Sequence, residues 1–185
     1  MDYISPKEVA GVMMNTAIYK SSLPIKDLLI RGALSGALLA ISVTLALLAT
    51  AQTGLGLIGA FVFPVGFVII VILGLELVTG SFSLVPLAWL EGKINFKVMA
   101  NNLLWVFLGN FLGSVLFALL FWAASTETGQ ASQLGNIEQS LIVISEKKTL
   151  GYGNHGAAGL FSAFVKAVLC NWMVCMGVVM SMTSK

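Results

Sequence analysis

Charge is what this sequence has least of. Only 10% of its 185 residues are Asp, Glu, Lys or Arg, against 58% hydrophobic, and the mean hydropathy is +0.96. A soluble domain needs far more charge to cover its surface, so the composition is that of a protein solvated mainly by lipid. Histidine occurs once and cysteine twice. Cys170 and Cys175 stand five apart in one apolar stretch, so on a helix they point in different directions and cannot pair; they read as small buried hydrophobes. One histidine and no Cys-x-x-Cys pair leave too few ligands for a metal centre, and no metal or cofactor is expected. A net charge of +2 without a basic block or an interleaved aromatic stripe speaks against nucleic acid as a partner. The first residues lack the apolar core of a signal peptide, and Asp2 and Glu8 argue against an Arg-rich transit peptide.

What the sequence does have is long apolar runs. No charged residue occurs from 32 to 75; Glu76 alone separates that run from 77–90; another spans 98–126, and 149–184 is interrupted only by His155 and Lys166. A helix crosses the hydrocarbon core with roughly 20 apolar residues. Membrane strands would alternate apolar and polar residues over about 10 positions, and stretches such as 37–51 and 65–73 do not alternate. The fold class is therefore all-α, a polytopic helical membrane protein forming a single transmembrane domain over 1–185. Crossings are predicted at about 31–51, 55–90 (broken), 98–123 and 157–183. Residues 1–30 read as a cytoplasmic amphipathic segment: Ser5-Pro6 starts a helix, Val9, Val12, Met13, Thr16 and Ala17 fall at three-and-four spacing, and Pro24 ends it. The expectation is a surface helix lying on the membrane.

The stretch 55–90 has 36 residues, about 54 Å as one straight helix at 1.5 Å per residue. That exceeds a hydrocarbon core of about 30 Å, yet two full crossings do not fit either. The economical solution is one crossing by a helix interrupted near 74–80, which reads Gly74-Leu75-Glu76-Leu77-Val78-Thr79-Gly80. A carboxylate in lipid costs about 2.5–3.5 kcal/mol on insertion scales and normally faces protein or a watery cavity. Irregular backbone at that depth is tolerated only in the same places. Glu76 either holds the break, by capping N–H groups or pairing with a basic residue, or contacts substrate; both roles require the broken helix.

In the third crossing Asn101, Asn102 and Asn110 are polar, and Gly109 and Gly113 form a small-xxx-small pair that reads as a packing face. Gly32, Ser35 and Gly36 offer close approach on the first crossing. In the polar connection that follows the third crossing, the stretch 137–144 fits a short docked strand or helix. Lys7, Lys20, Lys26 and Arg31 precede the first crossing, Lys93 and Lys97 the third, and Lys185 follows the fourth. By the positive-inside rule both ends lie in the cytoplasm, in a multi-pass protein expected in the plasma membrane.

Two motifs in order, Phe63-Pro64-Val65-Gly66-Phe67 with the 74–80 break, and Lys166-Ala167-Val168-Leu169-Cys170-Asn171-Trp172-Met173-Val174-Cys175, resemble the formate/nitrite transporter family. The Asn-Asn-Leu-Leu-Trp and Leu-Gly-Asn of 101–110 fit it too. The resemblance implies an aquaporin-like fold, a homopentamer with a pore in each protomer, and passage of small monovalent anions such as formate or nitrite through a lipid bilayer. It implies that Phe63 and Phe67 line hydrophobic constrictions and that Leu77, Val78 and Thr79 form the gating loop. Leu77 and Val78 then narrow the pore, with Val78 standing where some relatives have Phe, and the Thr79 hydroxyl faces the central site. It also implies that Asn171 bonds a vestibule lysine. Spacing to Asn171 puts His155 in that position, whereas residue type puts Lys148 there; both stay open as the anion-attracting cation.

The physical logic stands beside the name. A small anion sheds hydration at an apolar constriction, at a cost. A positive vestibule, the N-terminal end of a half-helix and hydroxyl donors lower that cost. Thr79 and Gly80 open the second half-helix, so their N–H groups are placed for this, although the Thr79 hydroxyl has the alternative of bonding a carbonyl one turn back. Members of the family have six crossings as two inverted repeats, with a histidine on a second broken helix. The expectation from a sequence stopping at Lys185 is a chain truncated after the fourth crossing, with the C-terminal part of the family fold absent. The alternative function is thus a non-conducting membrane subunit or fragment. A membrane enzyme is not expected, because His155 and Glu76 do not make a catalytic set.

Overall fold

The computed structural model describes residues 3–184. Among them the chain is mainly helical, with no strand beyond an isolated bridge between Tyr3 and Ser184. Helix α1, Pro6–Ser22, begins as the sequence predicts: Pro6 takes the first helical position, and the Glu8 carboxylate accepts the Ser5 backbone N–H at 3.2 Å and its hydroxyl at 2.9 Å. Pro24 then caps α2, Ile25–Thr53, which Gly54 ends in the left-handed conformation. Next come α3, Gly56–Val62, and α4, Pro64–Ile72. Phe63 between them keeps helical angles, so this is one rod jointed where Pro64 lacks an N–H.

Residues 73–77 are not helical, and Gly74, at φ 62°, makes the reversal that a side chain would resist. Helix α5, Val78–Leu90, resumes the path. A turn through Gly92 leads to α6, Phe96–Ser125, whose cap is the Asn95 side chain accepting the Val98 N–H at 2.9 Å. A 3₁₀ turn at Glu127–Gly129 precedes α7, Asn136–Lys148, α8, Leu150–Gly153, and α9, Gly156–Ser181. The 137–144 stretch is therefore helical and lies within α7.

Among the described residues three helices, α2, α6 and α9, are long and apolar enough to cross a membrane. The α3–α4 rod and α5 are the two shorter apolar pieces of the interrupted segment. The distribution of polarity is inside-out. Ser35, Glu76, Ser81 and Asn102 are at most 1% exposed, while Phe107, Phe111, Leu116 and Leu120 of α6 face outward. Lipid selects this arrangement, since apolar side chains lose nothing in it and polar ones must find partners in the protein.

The centre of the molecule is the pair α2 and α6, joined through glycine. A Cβ on Gly32 would sit 3.1 Å from the Gly109 Cα, one on Gly109 2.8 Å from the Leu29 carbonyl, and one on Gly113 would run into the Ala33 carbonyl. The small residues the sequence singles out on both helices thus meet each other, backbone on backbone. Helix α1 does more than rest on a surface. It buries Val9 and Ala17, and Ala17 joins Leu84, Ala88 and Val178 in a cluster with α5 and α9. One expectation fails: Cys170 is exposed and Cys175 only half-buried, because α9 turns most of its apolar surface outward.

Candidate functional site

The break between α4 and α5 is built from residues brought in by three other helices. Its backbone would leave a carbonyl and several N–H groups without helical partners at membrane depth. Asn110 of α6 partners the Glu76 carbonyl and the Val78 N–H. Its Oδ1 accepts the Val78 N–H at 2.9 Å, and its Nδ2 lies 2.9 Å from the Glu76 carbonyl, 2.9 Å from the Gly32 carbonyl and 2.8 Å from the Ser35 hydroxyl oxygen. The Ser35 hydroxyl of α2 reaches both the Gly32 and the Glu76 carbonyls. One carboxamide and one hydroxyl thus tie the end of the break that leads into α5 to the α2–α6 pair.

The Glu76 side chain, 1% exposed, forms an ion pair with Lys20 of α1 at 2.9 Å through Oε1. Its Oε2 is buried without a partner among the described residues. Asn102 of α6 donates to the Lys20 carbonyl at 2.8 Å, which fixes the end of α1 that carries the ammonium. Of the two roles read for Glu76 in the sequence, pairing with a basic residue is the one the geometry displays.

A cavity of about 310 Å³ opens beside the break, lined by Lys20, Phe67, Glu76, Leu77, Gly80 and Val178 among others. Phe67, Glu76 and Leu77 are therefore brought together. Val78 and Thr79 are half-buried in the first turn of α5 and do not line that cavity. Among the described residues the Thr79 hydroxyl makes no hydrogen bond, so it does not back-bond a carbonyl one turn earlier, and the Thr79 and Gly80 N–H groups take no acceptor. Phe63 lies elsewhere, in an apolar groove of about 710 Å³ shared with Phe117, Phe121 and Trp122 of α6 and with α7.

Asn171 is exposed on α9 and donates to the Ala167 carbonyl at 2.9 Å. His155 caps α9 and lines an open groove of about 580 Å³ with Lys147, Tyr152, Ser162 and Lys166. Lys148, the last residue of α7, is exposed and does not line that groove. Among the described residues no group of three or more His, Cys, Asp or Glu gathers to hold a metal.

Sequence reasoning missed Lys20 as the partner of Glu76, and Ser35 and Asn110 as the clamp. Asn110 gave a signal, a carboxamide inside an apolar helix, but not its target. Lys20 gave none, being 56 positions from Glu76.

Apolar helices exposed on their outer faces, a polar interior and a pinned helix break define a polytopic all-α membrane protein. The model of the formate/nitrite transporter family matches residues 7–185, and the chain belongs to that family. It is 31% identical over 189 residues to the uncharacterized transporter YrhG of Bacillus subtilis, covering 98% of this chain and 66% of the relative. It is 32% identical over 188 residues to the formate channel FocA of Haemophilus influenzae, covering 98% of this chain and 62% of that one. With the nitrite transporter NirC of Salmonella typhimurium it shares 29% over 125 residues, 66% of this chain and 41% of the relative. The chain thus spans about two thirds of the length of the first two of these relatives, 66% and 62%.

Proposed function

We propose that this chain contributes a pathway for small monovalent anions of the formate or nitrite kind, and that the 73–77 break is its narrow point. One observation carries the reading: at membrane depth Asn110 occupies the Val78 N–H but leaves those of Thr79 and Gly80, and the Thr79 hydroxyl, free at the positive end of α5. Phe67 and Leu77 form the apolar constriction in the cavity that Gly80 also lines, Val78 and Thr79 follow Leu77 in the chain, and Phe63 belongs to the outer approach. The groove that His155 shares with Lys147 and Lys166 supports His155 over Lys148 as the anion-attracting residue of the vestibule.

The assembly in this reading is a homopentamer, one pathway per protomer, in the plasma membrane with the N-terminus in the cytoplasm. The adjacency of Tyr3 and Ser184 supports an even number of crossings between them, since it brings both ends to one side. The relatives' names describe channels and transporters rather than enzymes.

The test is uptake of formate and of nitrite into proteoliposomes containing the purified protein. Flux above protein-free vesicles is expected, and Thr79→Val should lower it about tenfold, the worth of one hydrogen bond to a charged group. No flux for either anion would leave the non-conducting subunit as the reading, and unchanged flux in Thr79→Val would take Thr79 out of the pathway.

A further inference from the structure

We propose that Lys166 is an anion-binding residue, working with His155 along one polar stripe of α9, and that the Tyr152 ring holds its ammonium between binding events. The proposal rests on the transport reading above for its biological use, but its chemistry stands on its own observations.

Lys166 is the only charged residue in α9 and is the eleventh residue of that helix, Gly156–Ser181. At 1.5 Å per residue it therefore sits about 15 Å in from the helix start. A cation so far inside an apolar helix is expected to have a partner or a task. Among the described residues the ion pairs are Lys20 with Glu76 and Arg31 with Asp27, so no carboxylate neutralises Lys166. Its ammonium lies instead 5.1 Å above the centre of the Tyr152 ring. A cation–π contact steadies an ammonium without using up its N–H donors, which leaves it free to bind an anion.

The placement is built by the backbone. His155, Gly159, Ser162 and Lys166 follow at intervals of four, three and four, so they share one face of α9. Gly159 is required on that face: a Cβ there would collide with the Tyr152 carbonyl, so only glycine lets α8 lie close enough to lay its tyrosine over the lysine. The result is the open groove lined by Lys147, His155, Ser162 and Lys166, at the N-terminal end of a long helix whose dipole favours negative charge. Three basic side chains and a hydroxyl, without an acidic residue in the lining, suit a small monovalent oxyanion such as a short carboxylate or nitrite. The stripe leads such an anion along α9 from His155 to Lys166, both of them exposed.

His155 is the single histidine of the chain, so its ring resonances in isotope-labelled protein report the groove without ambiguity. Sodium formate added to the full chain in nanodiscs should shift them saturably. Lys166→Met should raise the half-saturating concentration about fivefold, the worth of one exposed charge contact. Lys166→Arg should restore it, and Lys166→Gln should behave as Lys166→Met with an unchanged melting temperature. Equal half-saturation in Lys166→Met and parent, or no saturable shift in the parent, overturns the proposal. Formate flux separates the two readings: saturable shifts without flux keep the groove and remove the transport function, whereas flux with an unresponsive His155 does the reverse.

Discussion

At the scale of single residues, the carboxylate of Glu76 governs the break, and it depends on Lys20. The ion pair is 2.9 Å long, with Glu76 1% and Lys20 16% exposed, so water screens it little. Removing one member of such a pair leaves an uncompensated buried charge, which costs about 3–5 kcal/mol, whereas removing both together is often nearly neutral. Lys20→Met is therefore expected to destabilise the protein by about that amount, and Lys20→Met with Glu76→Gln to recover most of it. Chemical unfolding in mixed micelles measures both; additive losses in the double variant would mean that the two side chains do not support each other. This pair also marks the limit of reading residues from sequence. Glu76 announced itself as an acid in an apolar run, but nothing in the order of residues says which of the several early basic residues meets it, because that is decided by how α1 docks on α5.

At the scale of elements, close approach of α2 and α6 decides where the clamp residues stand. Asn110 can reach the break from α6 only because Gly32, Gly36, Gly109 and Gly113 let the two backbones touch. At Gly113 the obstructing atoms are the Ala33 backbone, which cannot swing aside as a side chain can. Gly113→Val should cost about 1–3 kcal/mol or more from overpacking, lower the melting temperature and reduce monodisperse protein on size exclusion. Gly11→Ala is the matched control, since nothing lies within 4 Å of its Cβ position; it should gain about 0.5–1 kcal/mol from helix propensity. A Gly113→Val protein that melts like the parent would contradict this packing. The glycine spacing and the break were legible, because both are periodicities or length mismatches within one segment. Phe63 and Phe67 line different cavities, a separation that the resemblance, which puts both at constrictions, did not foreshadow. Helix α7 stayed ambiguous because a short mixed stretch carries no decisive period.

At the scale of the whole molecule, the two ends meet. Ile4 donates its N–H to the Thr183 carbonyl at 2.8 Å, and Tyr3 faces Ser184 across an antiparallel bridge. Residues so paired stand about 4.5–5.5 Å apart at Cα, within the range a disulfide spans. Tyr3→Cys with Ser184→Cys, in a background of Cys170→Ala and Cys175→Ala, should crosslink under mild oxidant. In intact cells neither new cysteine should react with an impermeant maleimide from outside. Reaction of one but not the other would place the ends on opposite sides and remove the even count of crossings. The membrane class was plain from composition alone, whereas the inward turning of Ser35, Ser81 and Asn102 became visible only once the helices were assembled.

The Asn110 carboxamide has a mechanical implication. It is a rigid planar group, and it grips the carbonyl of Glu76 within the break and the N–H of Val78 at the start of α5. A strut fixed at both of these points to a third rod turns the gap into a pinned joint rather than a free hinge. The start of α5 cannot slide along α6 unless both bonds are given up together, so an opening stroke at the break either carries α5 along with α6 or releases it all at once.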